Sequence, residues 1–241
     1  MNFTLSMTET GVATLLFDFE NEKINKLDGN SLIELKNHLT ALADNPQVRI
    51  LVFESAKSGI FIAGADINEI KDIRTKQEAY EKAQFGQQIL DQISKLPFLT
   101  LAVINGACVG GGCELALACQ FRIISDDKKA LIGLPEVNLG IIPGFGGCVR
   151  LPRLIGLQNA LKLILPGKLI NAKKALKCHL VDAIYNHKQA RAFIDEFIDS
   201  LLTLPSFEQQ IFQKRQLSFQ QKALQNNRLG QKIIFKKPIS N

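Results

Sequence analysis

The chain has 241 residues, 46% of them hydrophobic and 22% charged, with a formal net charge of +6. These are the values of a globular protein long enough for one large domain, or for a domain with an appendage. They argue against a disordered or fibrous chain, and no apolar run reaches the length of a transmembrane helix.

The N-terminus, "MNFTLSMTET", lacks a basic region followed by an apolar stretch, so no signal peptide is expected and a cytoplasmic location is. Gly11–Phe19 is apolar and bounded by polar residues, as a buried strand is. A helix follows over Gly29–Ala43, with Leu32, Leu35, Leu39 and Leu42 on one face. Asn30 or Ser31 is its candidate cap, and Glu34 completes a capping-box pattern with Ser31. Arg49–Ser55 is a second buried strand, and "FIAGADI" (Phe61–Ile67) reads as a small-residue turn. A second helix is expected from Lys76 to Leu96, its face formed by Tyr80, Ala83, Leu90, Ile93 and Leu96, with Pro97 as the stop. Thr100–Gly106 is a third strand, and Phe121–Asp126 and Leu180–Tyr185 are shorter candidates. After Pro143 the pattern is mostly helical, over Cys148–Leu165, Asn171–Lys177 and Ala190–Leu202. From Ser206 the chain turns rich in Gln and Lys. The expected division is an α/β core over 1–205 and a peripheral helical or linker segment over 206–241.

Five cysteines, an odd number with no C-x-x-C pair, read as free buried thiols. His38, His179 and His187 show no pairing pattern and read as surface or structural. Lys and Arg are scattered and Trp is absent, so the positive charge reads as a solvated surface rather than a nucleic-acid face. Such a surface also suits a phosphate-bearing ligand.

The chemistry concentrates in "NGACVGGGCELALAC" (Asn105–Cys119). Glycine is costly to order, and a carboxylate entering an apolar run is costly unless it is paired or used. The stretch is not a P-loop, because Gly112 and Cys113 stand where Lys and Ser/Thr are needed. Nor is it a dinucleotide fingerprint, because Leu115 replaces a required Gly, and no G-x-S-x-G occurs in the chain. What remains is a strand, a glycine turn and a helix whose first N–H groups lack internal partners. Those N–H groups can serve as half of an oxyanion hole, and the approachable backbone at Ala63, Gly64 and Ala65 is a second candidate donor. "GLPEVNLGIIPGFGG" (Gly133–Gly147) adds Glu136. Glu114 and Glu136 both lie in apolar, glycine-flanked settings that raise a carboxyl pKa, and such a pair can act as acid and base around one water. The bland alternative makes Glu114 a helix N-terminal charge and Glu136 a turn residue.

"FIAGADI", "NGACVGGGCELALAC" and "GLPEVNLGIIPGFGG" resemble, in order and spacing, the signature segments of the crotonase (enoyl-CoA hydratase/isomerase) family. Within it, "EKINKL", "SDDKKALIGLPE", "RLPRLIG" and "LGQKIIFKK" resemble the N-terminal hydratase part of the multifunctional α-subunit of bacterial fatty-acid oxidation complexes. The resemblance implies a spiral of ββα units with a helical C-terminal region. It implies oxyanion donors at Ala65 and Gly111 and catalytic carboxylates at Glu114 and Glu136. It implies substrate contacts at Ala63, Gly64, Asp66, Ile67, Gly110, Pro135 and Gly144. The implied reaction adds water to a 2-trans-enoyl-CoA, with coenzyme A as part of the substrate and no metal or further cofactor. A homotrimer or hexamer, or pairing with a thiolase β-subunit, is implied for the assembly. Isomerisation between Δ3 and Δ2, thioester hydrolysis, and a module active only within a multienzyme complex are the alternatives. The dehydrogenase part that follows in the α-subunit has no counterpart here, so no dehydrogenase activity is expected. Two residues depart from the family pattern: His179 stands where Gly is usual, and Pro166 where Thr is usual. A Gly position often carries φ > 0, which His tolerates poorly.

Overall fold

The computed structural model describes residues 1–203. Two strands, β1 (Phe3–Met7) and β2 (Val12–Phe17), pair antiparallel and lead into helix α1 (Gly29–Ala43). Strands β3 (Ile50–Ser55) and β4 (Ile60–Ile62) come next, then helices α2 (Ile67–Lys71) and α3 (Lys76–Lys95). The motif repeats as β5 (Leu99–Ile104), β6 (Ala107–Val109) and α4 (Gly111–Ala118). It repeats again as β7 (Phe121–Ser125) and β8 (Leu131–Gly133), a short 3-10 helix at Glu136–Leu139, α5 (Gly147–Ile155) and α6 (Leu157–Ile164). Then follow β9 (Ile170–Asn171), α7 (Ala172–Lys177), β10 (Ala183–Tyr185) and α8 (Ala190–Leu202).

In the three strand pairs from β3 to β8, the first strand joins one sheet and the second joins another. The larger sheet has the order β1-β2-β3-β5-β7-β10 and is parallel beyond the β1–β2 pair. The smaller has the order β4-β6-β8-β9, antiparallel only at β9. This is the spiral of ββα units that the resemblance implies.

Parallel strands covered on both faces read as continuous apolar runs, and all six residues of β5 are buried. Their alternation separates two cores. Leu51, Phe53, Ala102 and Ile104 pack with the leucines of α1 and with α4. Ile50, Val52, Leu101 and Val103 pack with Tyr185 and with Ile194, Ile198 and Leu201 of α8. Helix α4 is buried throughout. Its C-terminus is held by Arg122, a buried cation whose Nη1 donates to Ala116 O at 3.1 Å and whose Nε donates to Leu180 O at 2.9 Å. A cation is favoured at that negative end of the helix dipole. Among the described residues no helix is long and apolar enough to cross a membrane.

Several expectations need correction. The cap of α1 is Asp28, and Ser31 closes the capping box. Glu34 is used elsewhere, accepting from the N–H groups of Asn2 and Phe3 at 2.9 and 3.0 Å. The buried face of α3 is Gly86, Ile89, Leu90 and Ile93, while Tyr80 is exposed because the first turns of α3 lie beyond the core. The expected helix over Cys148–Leu165 is two helices broken at Gly156, where φ is 84°. Cys108, Cys113 and Cys119 are buried free thiols, but Cys148 is exposed. The expected segment 206–241 lies outside the described residues.

Candidate active site

Buried Asn25 sets the first edge of the site. Its Nδ2 donates to Phe17 O at 2.8 Å, Ser55 Oγ at 2.9 Å and Phe61 O at 3.2 Å, and its Oδ1 accepts from Phe19 N at 2.8 Å. The backbone beside it forms a short ladder: Ala63 N donates to Asn25 O, Leu27 N to Gly64 O, and Asp66 N to Leu27 O, at 2.8, 2.8 and 2.9 Å. Adjacent residues of an extended segment direct their N–H groups to opposite sides. Ala65 N–H therefore faces away from Leu27, and it has no acceptor among the described residues.

The second edge is the start of α4. Gly110 has φ 54° and ψ −127°, a backbone region effectively closed to side-chain-bearing residues. Gly111 is the first helical residue, so its N–H has no intrahelical acceptor. An ideal Cβ on Gly111 would fall 3.2 Å from Ala65 N, so the first residue of α4 lies against the Ala65 peptide. A Cβ on Gly110 would fall 3.6 Å from Gly64 Cα and 3.3 Å from Glu136 Oε1. The glycines thus let three chain segments meet.

Glu114 lies in the first turn of α4, 2% exposed. Its Oε1 accepts from Phe145 N at 2.8 Å and Gly147 N at 2.7 Å. Burial pushes its pKa up to about 7, the nearby Glu136 carboxyl adds to the rise, and the two N–H donors and Arg150 oppose it. Glu136 opens the 3-10 helix, is 8% exposed, and is likewise pushed up by burial. Its Oε2 is buried with no hydrogen-bond partner among the described residues. A buried carboxyl oxygen without a partner is costly unless it carries a proton or meets a ligand.

The structure therefore brings Ala65, Gly110, Gly111, Glu114 and Glu136 together. Ala63 N–H and the Gly64 carbonyl are used in the ladder to Asn25 and Leu27, and Pro135 precedes Glu136 half-buried. Gly144 faces open space, since a Cβ there would meet nothing within 4 Å. The Asp66 carboxylate caps α2, accepting from Asn68 N at 2.8 Å, and pairs with Lys26 at 3.1 Å. Ile67 is 46% exposed. Sequence reasoning missed Asn25, Gln87 and Arg150. Gln87 Nε2 donates to Gly144 O and Arg150 Nη1 to Phe145 O, both at 2.7 Å. An isolated Asn, Gln or Arg outside a glycine motif carries no local signal. Among the described residues no group of three or more His, Cys, Asp or Glu is placed to hold a metal ion.

Such a site offers two backbone donors to a developing oxyanion and two carboxyls able to exchange protons beside it. The sequence family described as enoyl-CoA hydratase/isomerase matches residues 8–241. An enoyl-CoA hydratase structure from Geobacillus kaustophilus is similar with a TM-score of 0.80 and 28% identity, over 98% of this chain and 89% of that one. One from Bacillus anthracis is similar with a TM-score of 0.78 and 28% identity, over 98% and 90%. The human mitochondrial Δ3-Δ2-enoyl-CoA isomerase is similar with a TM-score of 0.80 and 26% identity, over 100% and 93%. The chain belongs to the enoyl-CoA hydratase/isomerase family.

Proposed function

We propose that the protein is an enoyl-CoA hydratase that adds water across the 2-trans double bond of fatty enoyl-CoA thioesters. The observation that carries this reading is the pairing of Glu114, anchored by two N–H groups, with Glu136, whose Oε2 is buried and unpartnered. In this reading the thioester oxygen accepts from Ala65 and Gly111, whose donors meet the enolate charge as it develops. One such donor is worth about 3–4 kcal/mol. A water between the carboxyls forms a C–O bond at the β-carbon, and Glu114 takes its proton. The π electrons of the double bond pass into the enolate, and the α-carbon collects a proton from Glu136.

Hydrogen bonding supports this division. The Glu114 oxygen with two donors suits a carboxylate, and the bare Glu136 Oε2 suits a carboxylic acid. A carboxyl titrating at about 7 is poised as a base near neutral pH. The scheme calls for no metal or cofactor beyond the coenzyme A of the substrate.

The test is loss of the conjugated absorbance of crotonyl-CoA. Wild type is expected to be active, and Glu114→Gln and Glu136→Gln each to fall by ~10²-fold or more, the scale of acid–base catalysis. Folded wild type that binds the thioester but leaves the absorbance unchanged would sink the hydratase reading. A second reading, Δ3-Δ2 isomerisation, is favoured by Glu136 alone, since one carboxyl with a free buried oxygen can shuttle a proton between two carbons. Activity on a 3-enoyl-CoA that survives Glu114→Gln would select it.

A further inference from the structure

Helix α3 supplies none of the reacting groups, yet two of its residues touch the turn that holds Glu114 and a third reaches it through Arg150. Gly86 is buried, and a Cβ there would fall 2.3 Å from the Phe145 ring, so the ring seats directly on the helix backbone. Gln87 Nε2 donates to Gly144 O at 2.7 Å. The amide nitrogen must be the donor, because a carbonyl only accepts. Asp91, four residues on, shares that face of the helix and pairs with the Arg150 guanidinium. Arg150 Nη1 in turn donates to Phe145 O at 2.7 Å.

The peptide joining Gly144 to Phe145 is thus bonded at both ends. Gln87 donates to its carbonyl, and its N–H donates to Glu114 Oε1 at 2.8 Å. Hydrogen bonds in series polarise one another, and a donor to a carboxylate strengthens as its own peptide is polarised. We infer that Gln87 and the Asp91–Arg150 pair are positioning residues that act through this turn to orient the Glu114 carboxyl and favour its ionised form. The inference rests on the acid–base role proposed for Glu114 and adds the residues that tune it.

Other charges and thiols face the same carboxyl. Glu136 approaches from the 3-10 helix, Cys113 from α4 itself, and Cys148 and Arg150 from α5, with Asp91 of α3 behind Arg150. Arg150 is the cation of this set, and Asp91 holds it against the turn. The Gln87 side chain is exposed, so removing it leaves the core intact.

The experiment is a pH titration of the full chain labelled with ¹³C at the glutamate carboxyls, with Glu114→Gln to assign the signal. Gln87→Leu and Arg150→Met are compared with wild type. Each is expected to move the Glu114 midpoint upward, so that the ratio of ionised to protonated carboxyl at a fixed pH falls about two- to fourfold. Thermal midpoint and circular dichroism are expected to stay near wild type. Arg150→Lys, which keeps the charge but loses the fork, is expected to recover part of the shift. An unmoved Glu114 midpoint in folded Gln87→Leu would overturn the relay, and Gln87→Leu decides alone if Arg150→Met does not fold. The titration needs no substrate. A wild type that does not hydrate crotonyl-CoA would therefore sink the functional reading and leave this one to its own result.

Discussion

Glu114→Gln should change how stability depends on pH. Burial lifts the Glu114 carboxyl from an ordinary 4.5 to about 7. The folded state therefore holds the proton more tightly than the unfolded state between those values. Stability from this group is fully present below the unfolded pKa and is lost as pH rises through the folded one. The gap corresponds to roughly 3 kcal/mol in total, at about 1.4 kcal/mol for each pKa unit between the two states. About three-quarters of that falls between roughly pH 5 and roughly pH 8.5. A glutamine cannot ionise, and its carbonyl can still accept from Phe145 and Gly147. The stability difference between wild type and variant should therefore swing by about 2–3 kcal/mol towards the variant over that range. Urea unfolding at a series of pH values, at one protein concentration, measures it, and titrations common to both proteins cancel. A difference that stays flat within about 0.5 kcal/mol would mean that Glu114 titrates normally and that the site is wetter than its burial implies.

Gly112→Ala should destabilise by about 1–3 kcal/mol, because its Cβ would fall 2.4 Å from Ile62 O and push α4 off β4; thermal unfolding reads it. Asn25→Ala should cost about 3 kcal/mol by leaving Phe17 O, Phe61 O and Phe19 N–H without their partner. Loss of under about 1 kcal/mol in urea would show that water replaces the side chain. His179→Gly should stabilise by about 0.5–1 kcal/mol, since His179 has φ 61° and is exposed, so little packing is lost. A lower thermal midpoint in that variant would refute the strain argument.

Legibility followed length and local chemistry. The central strands of the large sheet were visible because runs of apolar residues leave a pattern, and β3 and β5 matched it to within a residue or two. Edge strand β1 was missed, since only Phe3 of its five residues is buried and Thr and Ser interrupt the run. The small sheet was not visible. Its strands are two or three residues long, too short for any periodicity, and their pairing is decided by neighbours distant in sequence. "FIAGADI" accordingly reads as a turn, whereas Phe61 and Ile62 belong to β4. Of the site, Glu114 and Glu136 stood out because a carboxylate among apolar residues and glycines conflicts with local rules, and such conflicts gather where chemistry is done. Asn25, Gln87 and Arg150 break no local rule, and their roles exist only once the fold brings distant backbone carbonyls to them. His179 was legible through the resemblance alone, and its left-handed φ of 61° bears out the reading.

The small sheet that the sequence hid is also what assembles the site. Its strands β4, β6 and β8 run parallel, so their C-terminal ends lie at one edge. The chain leaving β4 passes through Ala63–Ala65, the chain leaving β6 enters Gly110 and α4, and the chain leaving β8 reaches Pro135 and Glu136. One proposed oxyanion donor, the second proposed donor with Glu114, and the second carboxyl thus come from three successive turns of the same spiral. Gly110 sits at the convergence, with its N–H donating to Gly133 O at 3.1 Å and its α-carbon open towards both Gly64 and Glu136. Parallel strands in adjacent register fix the separation of their ends without a side chain between them. Only the small residues at those ends let the backbone close to contact. That is why the glycine cost is concentrated at 110–112. A site built from strand ends tolerates change in the loops beyond it, and it does not tolerate a methyl group at the point where the strands converge.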